Sequence, residues 1–287
     1  MKPARFDYHC PASVDEAIAV LARYGGEARV LAGGQSLVPM MNFRIATPAA
    51  LVDINRIPSL AHITVEGDTV RVGAMTRQRV IESSPVIKEK LPLLAEAIKL
   101  VGHLPTRSRG TVGGSIAHAD PAAEIPMVLL ALDGEVVAKG PKGERRIAAR
   151  DLFQDALTTS LAADEVLTEV RFPAMPANAG CAIEEFSRRH GDFALAAIAA
   201  VIVRDGDKCK SARLAMAGVE PAPQRLGAAE AILQEKGLGE EAIAAAAAKA
   251  AEGVEPLSDH HASADYRRHL SRVLLERAVK RAARARF

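Results

Sequence analysis

Two segments of the chain share one grammar, and together they restrict its fold more than any other feature. Val30-Leu31-Ala32-Gly33-Gly34-Gln35-Ser36 and Gly110-Thr111-Val112-Gly113-Gly114-Ser115 each run through Gly-Gly to a hydroxyl residue and on into an apolar segment. Paired glycines permit positive φ and leave room for a ligand to approach the backbone closely. Successive N–H groups in such turns converge into a concave anion site, strengthened where a helix begins. Ser36, Thr111 and Ser115 add hydroxyl donors. A diphosphate between two such loops is held mainly by neutral donors, so a dinucleotide needs no basic patch. Each segment alone also reads as an ordinary tight turn; it is the repetition that points to a ligand. Neither contains GxGxxG and the chain has no GxxxxGK[ST], which excludes the Rossmann fingerprint and the P-loop.

The remaining composition narrows the class. With 287 residues the chain is long for one domain, and 49% apolar residues supply a sizeable core. Aromatics are only 3% and Trp is absent, so Ala and Val carry much of the packing. A net charge of +2 gives no argument for nucleic acid or an anionic membrane. No run approaches the ~18–20 apolar residues of a membrane span, and the opening MKPARFDYHCPAS lacks the apolar core of a secretory signal. A soluble, cytoplasmic protein is expected. Cys10, Cys181 and Cys209 are scattered, without a CxxC pair. They are too few for an iron–sulfur cluster, which takes about four thiolates, and read as reduced thiols.

The periodicity predicts an α+β protein. Ser13 to Glu16 is a capping box opening a helix that Gly25-Gly26 end. Short apolar strands follow near 28–32 and 51–54, then a hairpin around Gly67-Asp68 and a helical run from 76 to 101 interrupted by Pro85 and Pro92. After the second glycine segment come a helical run over 122–132, a hairpin around Gly140 to Gly143, and a strand over 165–172. Pro173, Pro176 and Gly180 mark the boundary. Strands are expected at 182–187, 196–204 and 209–218, the last two joined by Asp205-Gly206-Asp207, and helices over 224–236, 239–252 and 263–287. The domains are therefore 1–175, in lobes of about 1–55 and 56–175, and 178–287.

Ala32-Gly33-Gly34-Gln35-Ser36 and Arg109-Gly110-Thr111-Val112-Gly113-Gly114-Ser115, with Ala119-Asp120-Pro121-Ala122-Ala123-Glu124 after it, resemble the two FAD loops of the medium subunits of carbon monoxide dehydrogenases and related molybdenum hydroxylases. Phe6-Asp7-Tyr8, Arg188-Arg189-His190-Gly191-Asp192-Phe193 and Ser263-Ala264-Asp265-Tyr266-Arg267-Arg268 are similar to that family too, in consistent order along the chain. The resemblance implies a two-lobed FAD-binding domain of the PCMH type followed by a C-terminal domain with a small antiparallel sheet and helices. It implies non-covalent FAD, with the diphosphate cradled by Ala32, Gly33, Gly34, Gln35 and Ser36 and by Thr111, Val112, Gly113, Gly114 and Ser115. It also places Asp120 beside the second loop, Glu124 near the ribityl chain, Val101 and Leu167 along the flavin and adenine regions, and Phe193 by the isoalloxazine. The molybdenum cofactor and [2Fe-2S] clusters are then expected on a large and a small partner subunit, in a dimer of heterotrimers. The chain itself would carry electrons from the clusters to an external acceptor. Two departures stand out: Pro105-Thr106-Arg107-Ser108 precedes the second loop where Gln-Ile-Arg-Asn is frequent, and Glu184-Glu185 stand where xanthine dehydrogenases carry a lysine near the flavin.

Two other readings compete. A self-contained FAD-dependent oxidase or dehydrogenase would need a base beside the flavin, for which only His118 and His190 are candidates. A cofactor-free scaffold would purify without yellow colour. His118 is expected to cap or hydrogen-bond the second loop. His260-His261 lack a third metal ligand. Arg188-Arg189 with Asp192 read as a solvated turn or an interdomain ion pair, and the arginines of the last helix as a solvated or partner-facing basic surface. Gly33→Val or Gly113→Val is expected to remove flavin retention while leaving the fold largely intact.

Overall fold

The structure, a computed structural model, describes residues 1–206 and 208–284; Asp207 of the expected 205–207 turn and residues 285–287 of the expected 263–287 helix lie outside them. The first helix, Val14–Tyr24, begins as its capping residues dictate. Ser13 Oγ accepts from the Glu16 N–H at 3.2 Å, and the Glu16 carboxylate reaches back to the Ala12 N–H at 2.8 Å. Gly25, at φ 54°, ends it in the left-handed conformation. Its apolar stripe, Ala17, Ile18, Val20 and Leu21, is buried against a three-stranded parallel sheet ordered Asp7–His9, Ala50–Asp53, Ala28–Leu31.

The second lobe is built on a five-stranded antiparallel sheet in the order Ile63–Glu66, Thr69–Gly73, Val166–Pro173, Glu135–Gly140, Gly143–Ala148. The two prolines of the helical run start helices instead of kinking one. Pro85 and Pro92 each occupy the first turn of a short helix, Pro85–Lys90 and Pro92–Ala97, where a missing N–H costs nothing. Both helices bury their apolar face in a core shared with Glu124–Ala131, an almost wholly apolar helix.

A four-stranded antiparallel sheet follows: Ala179–Phe186, Ala196–Asp205, Lys208–Ala217 and Gln224–Arg225. The last strand occupies positions expected to be helical; that helix starts at Gly227. Alternation along the strands divides this sheet between two cores. Cys181, Ile183, Ala197 and Ala199 pack into the core of the 63–175 lobe. Ala182, Ile198 and Ala200 face the helices Gly227–Lys236, Glu240–Glu252 and Ala264–Arg284. Two arginines of the last helix are internal ties and not part of a basic surface. Arg267 is 8% exposed and donates to the Leu195 and Gly218 carbonyls, each at 2.8 Å. Arg281 pairs with Glu184 at 2.5 Å and with Glu96 of the preceding lobe. No helix among the described residues is long and apolar enough to cross a membrane.

Candidate functional site

Both glycine segments open onto one cavity of about 1120 Å³, larger than the roughly 300–1,000 Å³ of ordinary small-molecule sites and suited to a dinucleotide. Residues of both lobes line it, together with Gly191, Asp192 and Phe193 of the C-terminal unit.

The two segments differ in how their N–H groups are used. In the first, Gly34 takes φ +71°, a left-handed conformation that favours glycine, between strand Ala28–Leu31 and helix Leu37–Asn42. Among the described residues, the N–H groups of Gly33, Gly34, Gln35 and Ser36 donate to no protein acceptor. The Gln35 side chain braces the turn by donating to the Gly33 carbonyl at 3.2 Å. A run of free donors at a helix start is an anion cradle.

The second segment is not a turn. Gly113 and Gly114 lie within the helix Val112–His118, and neither takes a positive φ. Thr111 caps the helix, its hydroxyl accepting from the Gly114 N–H at 3.0 Å. The N–H groups of Val112, Gly113 and Ser115 donate to the carbonyls of Thr76, Ala74 and Thr111. What this segment offers a ligand is chiefly the Ser115 hydroxyl and the small surface of its glycines. Val112 does not line the cavity; its side chain is fully buried in the core.

The glycines also have a role in packing that their spacing did not reveal. A Cβ on Gly33 would sit 2.5 Å from the Arg109 carbonyl oxygen, and one on Gly113 would sit 2.5 Å from the Ala74 Cβ. These glycines let the two segments, and the helix and sheet beneath, approach one another. Valine at either position would therefore disturb the fold as well as the cavity, contrary to the expectation that the fold would stay largely intact.

The other candidates line the cavity: Val101, Asp120, Glu124, Leu167 and Phe193. The Asp120 carboxylate accepts from the Ala122 N–H at 2.9 Å and shapes the turn into helix Glu124–Ala131. Glu124 opens that helix, and burial, with Glu185 and then Asp120 nearby, pushes its carboxyl up to about 8. Phe193 is 67% exposed, an aromatic ring on the cavity rim. His118 lines the cavity as well, but among the described residues it neither caps nor hydrogen-bonds the loop; burial lowers its pKa, favouring neutral imidazole. His190 packs edge-on to His103 at 6.0 Å. The His260 and His261 rings lie 3.7 Å apart at a tilt of 43°. Arg188 and Arg189 lie in an exposed turn closed by the Asp192 N–H donating to the Arg189 carbonyl at 3.1 Å.

One cavity residue carries no sequence signal. Gln78 is 5% exposed, and its Oε1 has no hydrogen-bond partner. In sequence it is one more polar residue at a helix start.

The cavity fits FAD. It pairs free backbone donors at one segment with a hydroxyl at the other, and long apolar walls with a rim aromatic. Comparisons with known proteins agree. Residues 4–175 match the family model of the FAD binding domain in molybdopterin dehydrogenase, and residues 182–282 match that of the CO dehydrogenase flavoprotein C-terminal domain. The chain is 44% identical over 283 residues to the 6-hydroxypseudooxynicotine dehydrogenase complex subunit alpha of Paenarthrobacter nicotinovorans, covering 98% of this chain and 96% of that one. It is 41% identical over 282 residues to the carbon monoxide dehydrogenase medium chain of Hydrogenophaga pseudoflava, covering 98% of each. The solved structure of carbon monoxide dehydrogenase from Hydrogenophaga pseudoflava lacking the Mo-pyranopterin moiety superposes with a TM-score of 0.97 at 43% identity, over 99% of both chains.

Proposed function

Since the chain belongs to the family of the FAD-binding domain in molybdopterin dehydrogenases, we propose that it is the electron-carrying medium subunit of a heteromeric molybdenum hydroxylase. Its FAD would accept electrons from iron–sulfur clusters of a small subunit and release them to an external acceptor. Substrate would be oxidised at the molybdenum cofactor of a large subunit. The observation that carries this reading is that four N–H groups without a protein acceptor among the described residues, Gly33 to Ser36, belong to residues lining the same dinucleotide-sized cavity as Ser115. Bound there, FAD supplies the exchange between single electrons and electron pairs; the protein supplies binding, orientation and access.

Each part of the chain has a task in this scheme. The N–H groups of 33–36 and the Ser115 hydroxyl hold the diphosphate with neutral donors, Val101 and Leu167 exclude water along the rings, and Phe193 covers the rim. The division we propose follows the two family matches: 1–175 binds the cofactor, while 178–287 closes one end of the cavity. The two relatives above bear the names of unrelated substrates while matching this chain nearly end to end, which supports placing substrate choice on another polypeptide. We propose a dimer of heterotrimers as the assembly.

The test is the visible spectrum of the purified complex, with released cofactor identified by chromatography and metals assigned to separated subunits. A flavin spectrum with FAD on this chain, and molybdenum and iron on its partners, supports the reading. A colourless chain that FAD cannot reconstitute overturns it.

A further inference from the structure

We propose that Gln78 is a cofactor-positioning residue, its buried carboxamide hydrogen-bonding a sugar hydroxyl of the dinucleotide next to the diphosphate. The inference rests on the FAD reading above and adds to it a contact that depends on the sugar.

The local fold plants this side chain beside the second glycine segment. The Gln78 N–H donates to the Gly110 carbonyl at 3.0 Å, and the Val112 N–H donates to the Thr76 carbonyl at 3.1 Å. Residues 76–78 and 110–112 are thereby stitched into a short antiparallel bridge, with Arg77 opposite Thr111. Gly110 carries no side chain, and the carboxamide uses the space: a Cβ there would sit 2.5 Å from Gln78 Oε1. Gln78 lines the cavity together with Thr106, Gly110 and Thr111.

Nothing in the protein answers the polar group placed there. Gln78 is 5% exposed, and among the described residues neither end of its carboxamide makes a hydrogen bond. A buried amide left without partners is costly, and folded proteins satisfy such groups with protein, water or a bound ligand.

The position selects the part of the ligand. A Cβ on Gly33 would sit 2.8 Å from the Gly110 Cα, so the two glycine segments meet at Gly110, against which Gln78 also packs. Gly33 begins the run of N–H groups assigned to the diphosphate, which puts Gln78 one residue away from that cradle. An ionised diphosphate offers acceptors only and leaves Oε1 unanswered. In FAD the diphosphate is joined on one side to the ribityl chain and on the other to the ribose, and both carry hydroxyls. A hydroxyl donates as well as accepts, so it serves the carboxamide whichever end is turned towards it. The backbone cradle would hold any diphosphate; Gln78 fixes how far along the cavity the cofactor lies, and adds no charge beside an anion.

The test uses the purified complex stripped of FAD. Dissociation constants are measured by flavin fluorescence for FAD and for two analogues, one without the ribityl hydroxyls and one without the ribose hydroxyls. Gln78→Met, close in size and at best a weak acceptor, should weaken FAD binding about five- to thirtyfold. The ratio of variant to wild type should fall to near one for at least one analogue, and that analogue identifies the sugar contacted. Gln78→Asn, whose amide stops one carbon short, should bind FAD as weakly and stands in if the methionine variant does not fold. The proposal is overturned if the variant binds FAD like the wild type. It is equally overturned if the loss is the same for FAD and both analogues, as a merely structural carboxamide would give. A wild-type complex that rebinds no FAD defeats the functional reading and this proposal with it, whereas FAD bound alike by wild type and variant defeats this proposal alone.

Discussion

Arg77 and Asn55 bracket the two glycine segments from outside the cavity. Arg77 Nη2 donates to Asn55 Oδ1 at 2.6 Å, and Asn55 Nδ2 donates to the Ala32 carbonyl at 2.8 Å at the head of the first segment. The other terminal nitrogen of Arg77 donates to the Arg109 carbonyl at the head of the second. One guanidinium therefore ties together the two segments proposed to cradle the diphosphate, from outside the cavity they line. Arg77→Ala should weaken FAD binding by roughly 1–2 kcal/mol, about five- to thirtyfold, as charged hydrogen bonds of this kind contribute. Fluorescence titration measures it. Arg77→Lys should recover little, because an ammonium lacks the forked geometry that reaches both partners.

Gly33→Ala separates packing from binding. Its Cβ would collide with the Arg109 carbonyl, which belongs to backbone and cannot rotate away. We expect a loss of about 1–3 kcal/mol, typical of overpacking, together with loss of FAD. Ser115→Ala should weaken FAD binding and leave the melting temperature of the FAD-free chain nearly unchanged. Parallel calorimetry and flavin titration distinguish the two.

Gly191 takes φ +86°, and a Cβ there would lie 2.4 Å from the His103 ring. Gly191→Ala should displace the turn that carries Phe193 and raise the solvent exposure of bound flavin, read as faster quenching of its fluorescence by iodide. Adding His103→Ala removes the collision but not the backbone strain, so recovery should be partial.

Glu169 contributes to acid stability. Burial opposes its ionisation, but Arg71, Arg171 and His62 donate to it at 2.8, 2.6 and 3.2 Å and hold its pKa below the ordinary value. A depressed folded-state pKa means the unfolded chain binds the proton more readily. The stabilisation is therefore complete above the ordinary carboxylate range and is lost as pH falls through the folded-state value. Glu169→Gln should cost about 2 kcal/mol at neutral pH, less than a fully buried pair because Arg71 is 34% exposed. The deficit should shrink in acid. Thermal melts across pH test both.

Much of this arrangement is legible in sequence because it rests on local rules. The capped first helix, the prolines and the alternating strands each act within a few residues. The chemistry of the second glycine segment was not legible. Thr111 and two glycines are compatible with either a turn or a capped helix, and only contacts with Thr76 and Ala74 decide it. The same holds for Gln78 and for the bracket by Arg77, whose partners lie 22 and 32 positions away. Val112 enters the cradle through the resemblance of the whole 111–115 loop, and only the helix that forms there turns its side chain into the core.

The sheet that divides its alternating residues between two cores gives the chain a party wall. Neither half possesses a face of its own to close, so severing the connection near Pro176 should yield a nicked molecule whose pieces stay together and melt in one transition. Expressed separately, each piece would expose a broad apolar surface and aggregate. The wall also explains how the far end of the cavity keeps its shape: the turn bearing Phe193 is mounted on masonry shared by both rooms.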